Sequence, residues 1–270
     1  MLYPVEIVCV GNELLIGKVL NTNAQWLAKR ITALGLSVRR INTVGDDVDE
    51  ISSAMREAIQ RNPSFIITTG GLGPTFDDKT LEGVAKALGC PLEFQDGALG
   101  MVEGKYRRFV EEGRMERLDL TPPRLKMAKL PKGADPLFNP VGTAPGVIMK
   151  HNETTIIALP GVPSEMMAIF EDSVVPLLKR ATGDVTFFEA SLYVTGVMES
   201  DLAPLIDRVM HENPYVYIKS HPRGAEKVPH IELHLSTTAE DSSVAKSRVS
   251  KALTQISEMI QTKGGKTKPT

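Results

Sequence analysis

Six carboxylates stand just after short apolar runs, or at the start of the helical patterns that follow: Glu13, Asp46, Asp47, Asp77, Asp78 and Glu165. Three glycine-containing loops share those positions, Gly11-Asn12-Glu13, Gly70-Gly71-Leu72-Gly73-Pro74 and Pro160-Gly161-Val162-Pro163. A strand-to-helix loop with glycine lets backbone N–H groups approach an anion at a helix N-terminus. Carboxylates repel phosphate, so a phosphorylated ligand here calls for a divalent cation between the two. Mg²⁺ binds in this way, through one or two carboxylates plus substrate phosphates. Such an ion polarises a phosphoryl oxygen and helps generate hydroxide. The residue types therefore point to metal-assisted reaction at a phosphoanhydride. The richest segment, TTGGLGPTFDDKT, adds the hydroxyls of Thr68, Thr69 and Thr75. It is neither a GxGxxG fingerprint nor a Walker A loop, which needs Gly-Lys-Ser/Thr.

Plainer roles compete for several of these residues. Asp77 or Asp78 suits a helix N-cap, Asp47 with Glu50 suits a capping box, and Thr22 or Asn23 suits a cap of the first long helix. Trp26 fits core packing better than base stacking. His230 and His234 are four apart on an expected strand and share a face, either as a metal pair or as a solvated edge. Tyr215, Tyr217 and Lys219 alternate likewise, which suits stacking on single-stranded nucleic acid or ordinary strand packing.

The elements that must position these groups alternate regularly at first. Val5–Val10, Ser37–Val44 and Phe65–Thr69 read as strands. Between them lie helical patterns carrying Ala24, Leu27, Ile31 and Leu34, and then Ile51, Met55 and Ile59; a third, opened by Asp77 or Asp78, carries Leu81, Val84, Ala85 and Leu88. Strands separated by single helices predict βαβ units, a mostly parallel sheet and helices on both faces. Asp96–Leu118 reads as a charged helix. Six prolines between Thr121 and Gly146 exclude helix and central strand there, leaving short edge strands and rigid loops. The pattern resumes with strand Thr154–Leu159 and a helix from Ser164 to Arg180. After a linker at Ala181–Val185, the order is strand Phe187–Val194, helix Glu199–His211, strands Tyr215–Ser220 and Lys227–Ser236, and helix Thr238–Gln261. The expectation is an α/β domain over residues 1–180, a small α+β (βαββα) domain over 185–262 and a frayed tail over 263–270.

Composition narrows the class. The chain has 270 residues, 42% hydrophobic and 24% charged, the profile of a globular protein. Lys plus Arg is 31 against 33 Asp plus Glu, net −2, so no basic nucleic-acid footprint shows at whole-chain level, and nucleic acid is not an expected partner. Two cysteines, Cys9 and Cys90, exclude a disulfide scaffold and fit a reduced, cytoplasmic setting. No run reaches the roughly 18 apolar residues of a membrane span, and the N-terminus lacks a signal-peptide pattern.

Five segments then carry a resemblance: GNELLIGKVLNTNAQWLAKRI (Gly11–Ile31), TVGDD (Thr43–Asp47), TGGLGPTFDDKT (Thr69–Thr80), NPVGTAPG (Asn139–Gly146) and LPGVPSEM (Leu159–Met166). In this order they resemble the N-terminal part of the CinA (competence/damage-inducible) family, and the βαββα segment resembles its KH-type domain. The resemblance implies a first domain like the molybdopterin-binding fold of MoaB and MogA, a three-layer α/β/α sandwich. It implies metal-dependent hydrolysis of ADP-ribose to AMP and ribose 5-phosphate, with a related domain of FAD synthases linked to FAD hydrolysis. CinA's deamidase activity belongs to a further C-terminal domain that is not expected here.

By motif, the catalytic positions are Asp46 and Asp78. Asp46, Asp77 and Asp78 would hold Mg, Mn or Co, with no organic cofactor. Ligand contacts would come from Gly11, Glu13, Asn23, Thr69, Gly70, Gly71, Gly73, Thr75, Gly142, Thr143, Pro160, Gly161, Ser164 and Glu165. A nucleotide-type substrate and a homo-oligomer, dimer or trimer, are implied. Three departures stand out: Phe76 occupies a position often basic in the family, LPGVP replaces Leu-Pro-Gly-Pro-Pro, and LTPPRLKMA replaces an Asn-rich segment. Two rival readings remain, molybdopterin binding or adenylylation in molybdenum cofactor synthesis, and a non-catalytic nucleotide- or RNA-binding module. His221-Pro222-Arg223-Gly224 is not the Gly-x-x-Gly clamp that the last of these needs.

Overall fold

β-branched runs such as VEIVCV favour extended backbone, and in the computed structural model this one is strand β1 (Pro4–Val10). Residues 3–183, 185–223 and 230–269 are described. The chain divides into two compact units near Ala181 and Thr182.

The first unit continues with α1 (Asn12–Leu15), α2 (Thr22–Ala33), β2 (Ser37–Val44), α3 (Val48–Gln60), β3 (Phe65–Thr69) and α4 (Thr80–Leu88). Then come β4 (Leu92–Phe94), α5 (Asp96–Glu111), α6 (Pro122–Lys126), β5 (Lys129–Pro131) and β6 (Asp135–Leu137). It closes with β7 (Gly146–His151), β8 (Thr154–Leu159), α7 (Pro163–Ile169) and α8 (Val175–Thr182). The main sheet has the order β2-β1-β3-β8-β7-β6. Its first four strands are parallel, and β7 and β6 are antiparallel. This is the largely parallel α/β architecture expected.

Val8, Val10, Ile66 and Ile156 pack against Ile51, Ala54 and Met55 of α3 and Val84 of α4. The alternate residues Ile7, Ile67 and Ile157 are fully buried too, so both faces of the sheet are covered. Each buried aliphatic side chain contributes roughly 1.5–3 kcal/mol. Trp26 of α2 meets Phe170 edge to face at 5.4 Å, packing where base stacking was the alternative. Glu6, almost fully buried in β1, takes a bidentate pair from Arg61 at 2.8 and 2.7 Å. Removing Arg61, itself part exposed, would leave the Glu6 charge buried and unpaired, which is costly. With both faces occupied, the open ground lies at the carboxyl ends of the strands.

The structure corrects the sequence reading at several points. α4 begins at Thr80 with Lys79 in the N-cap position and no side-chain capping bond, so neither Asp77 nor Asp78 is its cap. The proline-rich segment does contain a helix: α6 starts at Pro122-Pro123, where missing N–H groups cost nothing because first-turn donors have no intrahelical partner. α5 ends at Glu111 rather than near Leu118; Gly113, at φ 69°, turns the chain away. A π-helical turn over Phe170–Val174 joins α7 to α8. α8 runs to Thr182, through the start of the expected linker.

The second unit comprises β9 (Thr186–Thr195), α9 (Glu199–Glu212), β10 (Tyr217–Arg223), β11 (His230–Ala239), α10 (Ser242–Thr262) and β12 (Lys266–Pro269). Its sheet is antiparallel, in the order β10-β11-β9-β12. The expected frayed tail is thus an edge strand at 266–269, because β9 offers a free edge and Gly264 and Gly265 turn the chain back to it. The order becomes βαββαβ. Lys227–Pro229 of the expected strand, and Gly224, lie outside the described residues. Among the described residues no helix is long and apolar enough to cross a membrane.

Candidate functional site

A cleft of about 420 Å³ lies within the first unit, lined by the loops that follow β1, β2, β3 and β8. These loops converge because their strands are parallel neighbours. Gly70 follows β3 with φ 107°, a conformation that L side chains rarely adopt. A Cβ there would also collide with the Val10 carbonyl oxygen. Gly70 N–H donates to Leu159 O at 3.0 Å, and Thr80 Oγ1 donates to Gly70 O at 2.7 Å, so the loop is fastened on both sides. Asn23 ties the walls together: its Nδ2 donates to Thr69 Oγ1 at 3.1 Å and to Gly161 O at 2.8 Å. Thr69 Oγ1 donates onward to Pro160 O at 2.9 Å. Asn23 Oδ1 is buried without a partner among the described residues.

Five carboxylates line the cleft: Glu13, Asp46, Asp77, Asp78 and Glu165. Among the described residues, no Lys, Arg or His lines it. Asp78 Oδ2 accepts from Thr75 N–H at 2.8 Å and from Thr75 Oγ1 at 2.5 Å. The same hydroxyl also meets Asp77 Oδ1. The Thr75 hydroxyl, helped by a backbone N–H, holds the Asp77 carboxyl below its ordinary value near 3.8. Asp46 Oδ2 accepts from Asn12 N–H at 2.8 Å, and Asn12 Oδ1 accepts from Asp46 N–H in return at 3.3 Å. Among the described residues no three His, Cys, Asp or Glu side chains gather closely enough to hold a metal ion by themselves. The expected set of Asp46, Asp77 and Asp78 is therefore not assembled as one cage. Asp77 and Asp78 share a hydroxyl, while Asp46 is turned to the α1 loop. A pair of carboxylates fits a cation whose remaining ligands are phosphate oxygens and water.

Gly11, Gly71, Gly73, Thr143, Pro160 and Gly161 also line the cleft, as expected. Gly142 and Ser164 do not. Gly142 lines a neighbouring cavity of about 470 Å³ beside α5, where burial holds the Lys105 ammonium below its ordinary value. Lys105 Nζ donates there to Pro140 O at 3.1 Å. Ser164 sits at the exposed start of α7. Asp47 takes the plainer role: its carboxylate caps α3, accepting from Asp49 and Glu50 N–H, and these bonds hold its carboxyl below the ordinary value.

Two residues that the sequence reading passed over organise the site. Asn139, 5% exposed, donates to Ala144 O at 2.8 Å and to Glu165 Oε2 at 2.7 Å. Its Oδ1 accepts from the N–H groups of Val141 and Gly142 at 3.0 and 2.7 Å. It shapes the NPVGTAPG segment and aims Glu165. An Asn-Pro before a glycine was the available signal, since Asn side chains build such turns. Lys126 of α6 donates to Thr75 O at 2.6 Å and Asp78 O at 2.5 Å. It brings a cation to the loop that carries Phe76, itself 87% exposed. No local pattern links Lys126 to a loop 48 residues earlier. Cys9 lies buried behind the site, and burial pushes its thiol up, away from reactivity.

A family profile described as "Probable molybdopterin binding domain" matches residues 6–180. Protein PAE0875 of Pyrobaculum aerophilum is 50% identical over 260 residues, 96% of this chain and 95% of that protein. A protein of Sulfurisphaera tokodaii is 42% identical over 261 residues, 96% of each. A crystal structure of the protein CinA from Thermoplasma acidophilum, described as of unknown function, is 44% identical. It covers 63% of this chain and 95% of its own, with a TM-score of 0.57.

Proposed function

This chain belongs to the probable molybdopterin binding domain family, among its CinA-like members, and we propose that its cleft binds a phosphorylated pterin of the molybdopterin type. One observation carries the reading: among the described residues, five carboxylates and no basic side chain line the cleft. A purely anionic ligand would be repelled. A pterin has a ring amino group next to a ring N–H, and a carboxylate accepts from both. Its phosphate fits the backbone N–H groups of Gly71, Leu72 and Gly73, since that of Gly70 is taken by Leu159 O. Glu165, held by Asn139, and Glu13 are the acceptors assigned to the ring, and Asp77 and Asp78 are assigned to a divalent cation beside the phosphate. That ion, when bound, neutralises phosphate charge and polarises a phosphoryl oxygen. Thr75 orients both aspartates, Asn23 keeps the Thr69 and Gly161 walls at a set separation, and Asp46 fastens the start of α1 through Asn12. The reaction this arrangement serves is transfer of an adenylyl group from ATP to the bound phosphate: a phosphate oxygen bonds to the α-phosphorus, the α–β phosphoanhydride breaks and pyrophosphate leaves.

A second reading keeps the same aspartates and replaces the pterin by ADP-ribose, cleaved to AMP and ribose 5-phosphate. The ground for retaining it is the motif resemblance to the CinA family, carried by Thr43–Asp47 and Thr69–Thr80. The roles of Gly11, Gly71, Thr143 and Pro160 as ligand contacts belong to either reading. A homo-oligomer in a reduced cytoplasm, with Cys9 and Cys90 as free thiols, is part of the same proposal.

The test is a fluorescence titration of metal-stripped protein with a phosphorylated pterin, with and without Mg²⁺, Mn²⁺ or Co²⁺, alongside chromatography of products from ADP-ribose, FAD and NADH. Cation-dependent pterin binding lost in Asp78→Ala supports the first reading. Cation-dependent AMP from ADP-ribose without pterin binding supports the second. Neither result, with a folded protein, overturns both.

A further inference from the structure

The second unit covers only one face of its sheet. α9 and α10 pack on the side where Leu192, Val194, Ile218, Ile231, Leu233 and Leu235 point. Alternate strand residues point the other way. On that open face stand Tyr193 of β9, 41% exposed, and Tyr217 of β10, 60% exposed. The register puts Tyr217 in the row of Ser236 and Glu189, four residues along β9 from Tyr193, so the two rings are separate platforms. Between them His221 and His234 lie 6.4 Å apart, ring to ring.

Charge on this face runs opposite to that of the whole chain. Lys219, Arg223, Lys266 and Lys268 project from it, against the carboxylates Glu189 and Glu232. Both carboxylates are already paired, Glu232 with Arg223 and Glu189 with His234 at 3.3 Å. Lys219, Lys266 and Lys268 make no hydrogen bond or ion pair among the described residues. A net charge of −2 over 270 residues therefore conceals one basic face. The strand order also matters. β12 widens the sheet to four strands and adds the two free lysines beside Tyr193, opposite which Lys268 lies.

We propose that this open face binds a single-stranded polynucleotide, with Tyr193 and Tyr217 stacking on bases and Lys219, Lys266 and Lys268 meeting phosphates. An exposed four-stranded sheet with aromatic side chains on its strands is a surface on which unpaired bases stack. Charge complementarity selects the polyanion, and the flat aromatic platforms select unpaired bases over a duplex. This binding is independent of the cleft and of its ligand.

The experiment is fluorescence anisotropy with the full chain and a labelled mixed-sequence oligonucleotide, offered as single-stranded RNA, single-stranded DNA and duplex, over a range of salt. Both single strands binding more tightly than the duplex is the expected result; an RNA preference adds a contact to the 2′-hydroxyl. Tyr193→Ala and Tyr217→Ala each weaken binding by roughly 5- to 150-fold, the range for loss of one stacked base. Lys266→Gln with Lys268→Gln, at the sheet edge where folding is least at risk, makes the log–log salt slope shallower by about 1.4, at ~0.7 per phosphate contact. Circular dichroism checks that each variant is folded. No single-strand binding at low salt, a preference for duplex, or unchanged affinity in all these variants overturns the proposal. So does a change in oligomeric state without polynucleotide binding, which would assign the face to a second copy of the chain.

Discussion

The two units solve the same problem in opposite ways. The first buries both faces of a mostly parallel sheet, so its chemistry is pushed to the strand ends, where four loops build a cleft from backbone and carboxylates. The second covers one face of an antiparallel sheet and leaves the other in water, so its outward side chains form a surface directly. A parallel sheet needs crossover helices, and those helices occupy its faces. The comparison teaches where to look: at loop glycines and acids in the first unit, and at strand alternation in the second. It also separates the charge, with acids converging in the cleft and free lysines on the open sheet, which the near-neutral total hides.

Substitutions can break or sharpen this contrast. Gly70→Ala should act most strongly, because φ 107° and the Val10 carbonyl leave no room for a Cβ. A loss of about 3 kcal/mol is expected, seen in urea unfolding as a shift of the first unit's transition alone. A single shared transition would show that the units are not energetically separate. Asp78→Ala should lower cation-dependent ligand binding about 100-fold, roughly 2.7 kcal/mol, and leave oligonucleotide anisotropy unchanged. Asn139→Ala removes four hydrogen bonds from a buried side chain. About 2 kcal/mol of first-unit stability should go with it, together with the ring-binding role assigned to Glu165.

Lys126→Met should be milder. It frees the carbonyls of Thr75 and Asp78 to water and should weaken ligand binding about fivefold, roughly 1 kcal/mol, read by the same titration. The smallest effect is electrostatic. Thr75→Val removes the hydroxyl that donates to Asp77, so that carboxyl should rise back towards its ordinary value near 3.8, as followed by NMR titration. Because the folded value is depressed, Asp77's contribution is complete above about pH 3.8 and is lost only as pH falls through the lower folded value. No pH dependence of stability near neutrality should trace to this group.

Local pattern was enough for much of this molecule. β2, β3 and β8 occupy the residues assigned to them; β3 and β8 do so because a buried parallel strand needs a near-continuous apolar, β-branched sequence, whereas β2 is a half-exposed edge strand. The glycine loops and most of the acids around them were legible because glycine marks the sharp turns that follow these strands. What local pattern could not supply was pairing over distance. The partition of Asp46 from Asp77 and Asp78 depends on Asn12 and Thr75, whose side chains reach them only in the folded chain. Lys126 reaches its loop because α6 forms in spite of its prolines, and Lys266–Pro269 becomes a strand because β9 has an edge to offer. Sequence determined which residues can turn, cap and alternate. Tertiary structure decided which carboxylates meet, and which face of which sheet is left to water, since both depend on contacts between segments far apart in the chain.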